Sequence, residues 1–515
     1  MEESRVSNSI KNIFAAWGGQ VVYALATFIV RAVFVRFLSQ EYVGLESLFT
    51  SLLTILTLAD LGVGSAIVFA LYEPLAKNDT ELVKSLMRLF KRAYIIIGCV
   101  IIAVGALLAP NVRVFVGADA PDIPNLEIYF FCFVVNTGVS YFFSYKGSLI
   151  NADQKSYVVY LIQYSIMTVM CVGQIIVLVL TRDYLLYLFC MIASTVVQNV
   201  GIARMADKMY PYIREKDVKP LDKGLLTSIW KNVAGLMMHK VAGIASTPVN
   251  NLIITSFVGL SATSILGNYL LIEQALDRVL TKVFDSIVAS VGNLGAKESE
   301  DRQYEVFQTT FFVNALLYGA GAGAMMCAFN SFIAFWAGPD WRFPQYLVIL
   351  ICVLFYLRGM RAAGQAFTSA YGLYWLTKWK AVLEAVSLPV LGLLLVGPFG
   401  VAGVLCSSII STLCISTVYE AWAIYTHGFH KPLRCYVVRF LQYTVPTIAV
   451  MVAATELCSL ITLPYVVSFI IQAIIGLLAP TALLFAMFGR TREAQEAVSI
   501  AKRVGSKLAG KLHRA

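Results

Sequence analysis

The sequence predicts an all-α polytopic membrane protein with about fourteen transmembrane helices, and three observations predict it. Of its 515 residues, 59% are hydrophobic and 14% charged, with mean hydropathy +0.75, whereas a soluble chain carries roughly 25% charged residues. Apolar segments recur along the whole chain at roughly 20 residues, the length a helix needs to cross hydrocarbon. Lysine and arginine collect in alternate connecting loops, as they do in proteins inserted with their basic loops inside.

In chain order, the apolar segments fall near 13–37, 43–72, 93–109, 127–150, 157–180 and 184–205. A polar interval follows, and further segments lie near 232–258, 264–292, 305–336, 344–370, 379–397, 400–425, 437–461 and 464–488. This organisation divides the chain into an N-terminal lobe (1–206), a cytoplasmic linker (207–231) and a C-terminal lobe (232–432). Two extra helices (433–489) and a basic cytoplasmic tail (490–515) complete it. With the N-terminus inside, the inner loops receive Lys77, Lys84, Arg88, Lys91, Arg92, Lys146 and Lys155, the linker cations, and Lys297, Arg302, Lys378, Lys380, Lys431 and Arg434. The outer loops receive little beyond Arg113, Arg182 and Arg342, so both termini are expected in the cytoplasm. The opening MEESRVSNSIKN leads straight into the first span without a cleavage-site pattern, so no removable signal is expected.

Several function classes lose their material here. The ten cysteines lie mostly within apolar stretches and form no CxxC pair, so they read as small core residues. With only four histidines, a metalloenzyme has few ligands to use, and no metal or other cofactor is expected. The net charge of +10 is accounted for by inner loops, so no nucleic-acid partner is expected. The longest outer loop, around 110–127, is too short to house a catalytic domain, and the protein reads as a transporter rather than an enzyme. The tail after Gly489 has helical spacing and scattered cations; it suits either the anionic inner leaflet or solvent.

A weak internal symmetry is also present. GSLINADQKSYVVYLIQYS after the fourth span and QAFTSAYGLYWLTKWKAVLEAVS after the tenth both pass from small residues through an aromatic, basic patch into the next helix. They sit six spans apart, as two repeated six-helix units require.

The informative residues are charges inside spans. The stretch 268–292 carries Glu273, Gln274, Asp277, Arg278, Thr281, Lys282 and Asp285 within roughly half of a helical circumference. It reads as one wall of a hydrophilic cavity, or else as a packed helix with Lys282 and Asp285 paired at i,i+3. The first span places Asn12, Gln20, Thr27 and Arg31 on one face, and the second carries Glu46 and Asp60. The tenth offers Arg358, Arg361, Gln365 and Thr368 at i, i+3, i+7 and i+10, either a cavity stripe or an inner-boundary anchor. His239 reads as a packing residue or a proton relay.

Arginine deep in a membrane costs a few kcal/mol on insertion scales, and one use of that cost is to receive an anion. Arg31, Arg278, Lys282, Arg358 and Arg361 come from three separate spans, and phosphate or diphosphate suits their charge and forked geometry. Gln20, Thr27 and Gln274 add polar contacts to such a substrate site. Asp60, Glu273, Asp277, Asp285 and Glu384 offer partners for the cations, or sites for a coupling proton or Na⁺.

The opening residues NIFAAWGGQVVYALATFIVRAVFVRFLSQEYVGLESLFTSLLTILTLADLGVGSAI resemble the start of the Wzx-type polysaccharide transporters, oligosaccharide-lipid flippases of the MATE-like MOP superfamily. The shared features are an arginine-bearing first span, a turn at Tyr42-Val43-Gly44-Leu45 and a second span ending in Asp60-Leu61-Gly62. GSLINADQKSY and GPFGVAGV are similar too. The resemblance covers essentially the whole chain through diffuse motifs. It implies two six-helix lobes in a MATE-like arrangement around a central cavity, two further helices, and alternating access. It also implies an undecaprenyl-diphosphate-linked glycan as substrate, moved from the inner to the outer leaflet of a bacterial cytoplasmic membrane. The family's cationic cavity maps onto Arg31, Arg278 and Lys282, and it implies nothing for Arg358 or Arg361 individually. Glycosyltransferases and a polymerase of the same pathway are the implied protein partners. Multidrug exporters of the superfamily often carry a carboxylate in the first span where this chain carries Arg31. An ion-coupled small-molecule exporter and a membrane-embedded glycan polymerase are the competing readings.

Overall fold

The computed structural model describes residues 2–57, 63–116, 123–153, 155–215, 218–222, 224, 226–227, 247–371, 373, 376–461, 463–500 and 502. Asp60, His239 and Lys240 lie outside the described residues, as do the side chains of Asn12 and Asp285. Among the described residues the fold is all-α, without strands. The main helices are α1 (Glu2–Phe37), α2 (Gln40–Leu56), α3 (Val63–Ala76), α4 (Thr80–Leu108), α5 (Leu126–Ala152), α6 (Ser156–Thr181), α7 (Tyr184–Met209) and α8 (Thr247–Phe257). They continue with α9 (Leu260–Lys297), α10 (Glu300–Trp336), α11 (Gln345–Gly359), α12 (Ala362–Ala370), α13 (Lys378–Ser411), α14 (Val418–His427), α15 (Leu433–Ser459) and α16 (Tyr465–Phe488).

Ten helical stretches among the described residues are long and apolar enough to cross a membrane. One of them, Trp379–His427, holds two spans joined at Gly400, whose φ of 57° breaks the helix after Pro398. Three other expected spans escape that measure for identifiable reasons. The second is divided between α2 and α3, the seventh is described only from Thr247 onward, and α9 carries its charges through the apolar stretch.

The boundaries follow local chemistry. Asp79 accepts a hydrogen bond from the Leu82 amide at the start of α4, Asp183 caps α7 through the Leu185 amide, and Ser299 caps α10. Backbone contacts gather Met1–Ser264 into one unit and Ile265–Ala515 into a second. The first therefore runs past the polar interval and includes α8 and the first residues of α9. Within it α4 packs on α3 and α5, α5 on α7, α1 on α6, and α8 on α2. α2 meets α8 and the first turns of α9 through small polar groups: Asn251 of α8 donates to the Ser51 hydroxyl at 3.1 Å, and Ser261 and Ser264 of α9 donate to Gln40. Part of the polar interval is strapped to α4, with Lys84 to Glu215 at 2.8 Å and the Ser85 hydroxyl to the Lys219 carbonyl at 2.7 Å.

The second unit is built around α10, which packs on α11, α15 and α16. Its contact with α16 is backbone to backbone: a Cβ on Gly476 would stand 2.2 Å from the Gly323 carbonyl oxygen. The two C-terminal helices are thus part of this unit's core. The first turns of the tail, residues 492–500, are helical and lie on protein rather than on lipid or in solvent. Glu493 meets Arg439 at 2.6 Å, Glu496 accepts from Thr309 at 2.9 Å and from Arg302 at 3.3 Å, and Arg492 pairs with Glu305. Ala494 and Ala497 are buried beneath them.

Two outcomes are expected. Gly476→Leu forces α16 off α10 and lowers stability by about 1–3 kcal/mol, as overpacking does, read as a lower melting temperature in detergent. The tail contact is pH-dependent: partial burial pushes the Glu496 carboxyl up, but the Thr309 hydroxyl and the Arg302 guanidinium outweigh it and hold it below its ordinary 4.5. A depressed carboxyl stabilises above its unfolded value and loses that contribution as pH falls through the folded one. Proteolysis after residue 490 should therefore accelerate below about pH 4 and not between pH 6 and 8.

Candidate functional site

Among the described residues, charges gather inside spans at one place in the first unit and at two in the second. In the first unit, Arg31 is five-sixths of the way along α1 and its side chain is only 11% exposed. Its Nη1 meets Glu46 of α2 at 2.7 Å, and its guanidinium stands 5.9 Å from the Phe34 ring. Around the pair, Phe34 packs edge-on to Tyr184 and Tyr187, and Tyr184 touches Tyr42 and Tyr129. Arginine this deep in apolar surroundings needs a counter-charge and polarisable rings, and the fold supplies both. Glu46 was visible in the sequence but had no assigned role; the signal for it was the need of Arg31 for an anion one span away. Gln20 and Thr27 lie on the same side of α1 and face α6. The Tyr164 hydroxyl donates to Gln20 Oε1 at 2.8 Å, and Thr27 donates back to the Tyr23 carbonyl. Both are half-buried at a helix–helix contact.

In the second unit, α9 is rotated relative to the sequence expectation. Its packed side is centred on Glu273, which is buried along with Tyr269, Leu280 and Phe284. Asp277 sits at the edge of that side, where the Tyr318 hydroxyl of α10 donates to it at 3.3 Å. Gln274, Arg278 and Lys282 are exposed, and the Arg278 Nε donates to the Gln274 carbonyl at 3.1 Å. The polar half of this helix is therefore not one wall. Its acids turn into the unit and its bases turn out. Arg358 of α11 presents its charge to both Glu273 and Asp277, which explains how a buried carboxylate is tolerated there.

The expected stripe of Arg358, Arg361, Gln365 and Thr368 is divided: the regular helix is interrupted between Gly359 and Ala362, so Arg358 and Arg361 meet different partners, while Gln365 stays with Arg361 and donates to Glu420 at 3.4 Å. Arg361 instead points into the C-terminal unit and grips Glu420 of α14 with two hydrogen bonds, at 2.9 and 2.7 Å. Lys380 reaches the same carboxylate at 2.6 Å. Glu384 stands 3.8 Å from Arg361 and accepts from Ser416 in the π-turn at Thr412–Thr417. Two cations and two carboxylates make the cluster neutral. Arg361 is thus committed to a structural network and is not one of the free cations expected of a substrate site; Thr368 is buried away from it. Lys380 was read as a loop cation and Glu420 was not singled out. A lone acid inside the apolar run STVYEAWAI was the signal for it. Among the described residues no group of three His, Cys, Asp or Glu side chains has metal-ligand placement.

Glu420→Gln strands two buried cations on one carboxylate, so a loss of about 3–5 kcal/mol is expected. It would be read as a collapse in monodisperse protein after detergent extraction. Replacing Arg361, Lys380, Glu384 and Glu420 together by Met, Met, Leu and Leu, which leaves no charge of the cluster unpaired, should recover most of that loss.

Comparison with known proteins agrees with this fold. A lipid II flippase, MurJ, in an inward closed conformation superposes with a TM-score of 0.64 at 14% identity, covering 91% of this chain and 99% of that one. An inward-facing multidrug resistance MATE transporter of the MOP superfamily gives 0.64 at 12% identity, covering 78% and 93%. The Vibrio cholerae MATE transporter VcmN gives 0.54 at 15%, covering 83% and 99%. At such identities the likeness shows the fold alone. No curated protein matches the sequence. The family model described as "Polysaccharide biosynthesis protein" matches residues 9–291, more than half of the chain. The chain belongs to the polysaccharide biosynthesis protein family, as the resemblance of its first two spans to Wzx-type transporters implied.

Proposed function

We propose that the protein is a flippase that moves an undecaprenyl-diphosphate-linked oligosaccharide from the inner to the outer leaflet of the bacterial cytoplasmic membrane. The observation that carries the reading is the exposure of Arg278 and Lys282 on a helix otherwise apolar enough for the membrane, a pair that lipid tails cannot solvate. A diphosphate supplies the matching charge; Arg31, in the first unit, is a further cation that the reading draws on. Membership in a polysaccharide biosynthesis family and a flippase-like fold support the same substrate class.

Alternating access is the mechanism of this reading, with residues 1–206 and 232–432 as the two lobes and both termini inside. Outward movement of an anionic lipid gains about 2.3 kcal/mol per net charge per 100 mV of inside-negative potential. Asp277, beside the Tyr318 hydroxyl, and Glu273 are the groups suited to take a coupling H⁺ or Na⁺. These same acids favour an ion-coupled small-molecule exporter as the second reading. Glycosyltransferases and a polymerase of the same pathway are the proposed protein partners.

The test is leaflet accessibility of an undecaprenyl-diphosphate oligosaccharide in sealed proteoliposomes. Wild type should expose the glycan on the far leaflet. Hydrogen bonds to charged groups are worth about 1.5–3 kcal/mol, so Arg31→Ala and Arg278→Ala should each slow exposure roughly tenfold or more while inserting normally. No exposure by wild type with several glycans sinks the flippase reading in favour of small-molecule export. Wild-type rates in both variants leave transport standing and remove the diphosphate site.

A further inference from the structure

The side of α4 that faces away from its neighbours changes character along its length. Arg88, Lys91 and Arg92 are exposed and fall within roughly 100° of arc. Ile95, Ile96, Cys99 and Ala103 are exposed as well, and with the three cations they occupy roughly 140°. Val104 and Leu107 carry the apolar surface to the last turn, Leu107 being 75% exposed. From Ile95 to Leu107 the rise is about 18 Å at ~1.5 Å per residue, slightly more than the ~15 Å depth of one leaflet's hydrocarbon. The opposite side, with Phe90, Tyr94, Ile97 and Ile101, is buried against the rest of the unit.

These three cations differ from the others near them. Lys77 is paired with Glu73, Lys84 with Glu81 and Glu215, Lys146 and Arg214 with Asp207, and Lys155 with Asp153. Among the described residues no carboxylate lies within ion-pair distance of Arg88, Lys91 or Arg92. Their i, i+3 and i, i+4 spacing makes them repel one another unless an anion is shared between them. A water-soluble acidic protein seated on the rung would meet Ile95 and Ile96 one turn away. A phospholipid presents a phosphate and an acyl chain in that same order.

We infer that this side of α4 is a docking site for an anionic phospholipid, its phosphate held by Arg88, Lys91 and Arg92 and its acyl chain laid along Ile95–Leu107. The site lies on the first unit and is independent of what the protein transports. The topology proposed above places it in the inner leaflet.

Wild type and the triple variant Arg88→Gln, Lys91→Gln, Arg92→Gln would be reconstituted in phosphatidylcholine nanodiscs with added phosphatidylglycerol. Lipid retained by the protein would be read by native mass spectrometry. Each cation near a membrane surface is worth roughly fivefold in anionic-lipid affinity. Wild type should therefore retain phosphatidylglycerol preferentially, with the preference falling as salt rises, and the triple variant should lose it at least roughly tenfold. Arg88→Lys with Arg92→Lys should keep it. Equal preference in wild type and the triple variant, or none in wild type, overturns the site; so does displacement by soluble glycerol phosphate as efficient as by the lipid. The salt titration of wild type decides the matter even if the triple variant is poorly expressed. Glycan flipping enters none of these readouts, so a failure of the transport reading would be seen separately.

Discussion

Hydrocarbon offers no water, so every charge carried into it must meet an opposite charge, a dipole or an aqueous surface. That constraint organises this structure more than apolar burial does, because lipid tails are as apolar as the side chains they replace. Arg31 is held by Glu46 and wrapped in tyrosines. Arg361 and Lys380 close on Glu420. Glu273 turns inward toward the charge of Arg358. The last two arrangements join helices that are not consecutive in the chain, so the charges act as fasteners as much as sites. Close backbone contact supplies the complementary kind of fastening, as where Gly323 and Gly476 let α16 settle on α10.

The same constraint separates structural cations from those that can receive a ligand. A cation whose donors are already taken contributes little to an incoming anion, since it must first give up its partner. By that criterion Arg361 is a fastener, with the Nε–Nη2 edge of its guanidinium on Glu420 and its Nη1 toward Glu384. Arg278 is of the other kind: it is exposed and its Nε is satisfied by its own helix. Arg31 lies between the two. Its partner Glu46 is itself 28% exposed, so the pair borders a surface that an incoming anion could reach.

The sequence made the spans legible because length and hydropathy are properties of contiguous residues. It made Gly400 legible as well, since GPFGV cannot continue a helix. Helix rotation was not legible. The polar half of α9 spans Glu273 to Asp285, but which edge of that half is packed depends on α10 and α11, which contribute Tyr318 and Arg358. Likewise the i, i+3 spacing of Arg358 and Arg361 promises one face only while the helix runs on. The break after Gly359 is a tertiary outcome, stabilised in part by Asn314 donating to the Gly359 carbonyl at 3.0 Å. The tail illustrates the same limit. Its cations were plain, but Glu493 and Glu496 are what dock its first turns, and their partners lie more than a hundred residues away in two cases.

The division of α9 into an acidic inner edge and a basic outer edge bears directly on ion coupling. Glu273 and Asp277 are one turn apart and see the same arginine, so taking a proton or Na⁺ there changes the charge at the base of the helix that exposes Arg278 and Lys282. The carboxylates need not touch the substrate for the two events to be linked. When Arg358 balances only one of two ionised acids, the net field on the exposed edge is less positive than when one acid is neutral. Were the proposed anion to bind at Arg278 and Lys282, it would be held more tightly with the acid neutralised and released more easily when the acid ionises. Coupling of that kind requires only that both edges belong to one rigid helix, which α9 supplies over Leu260–Lys297.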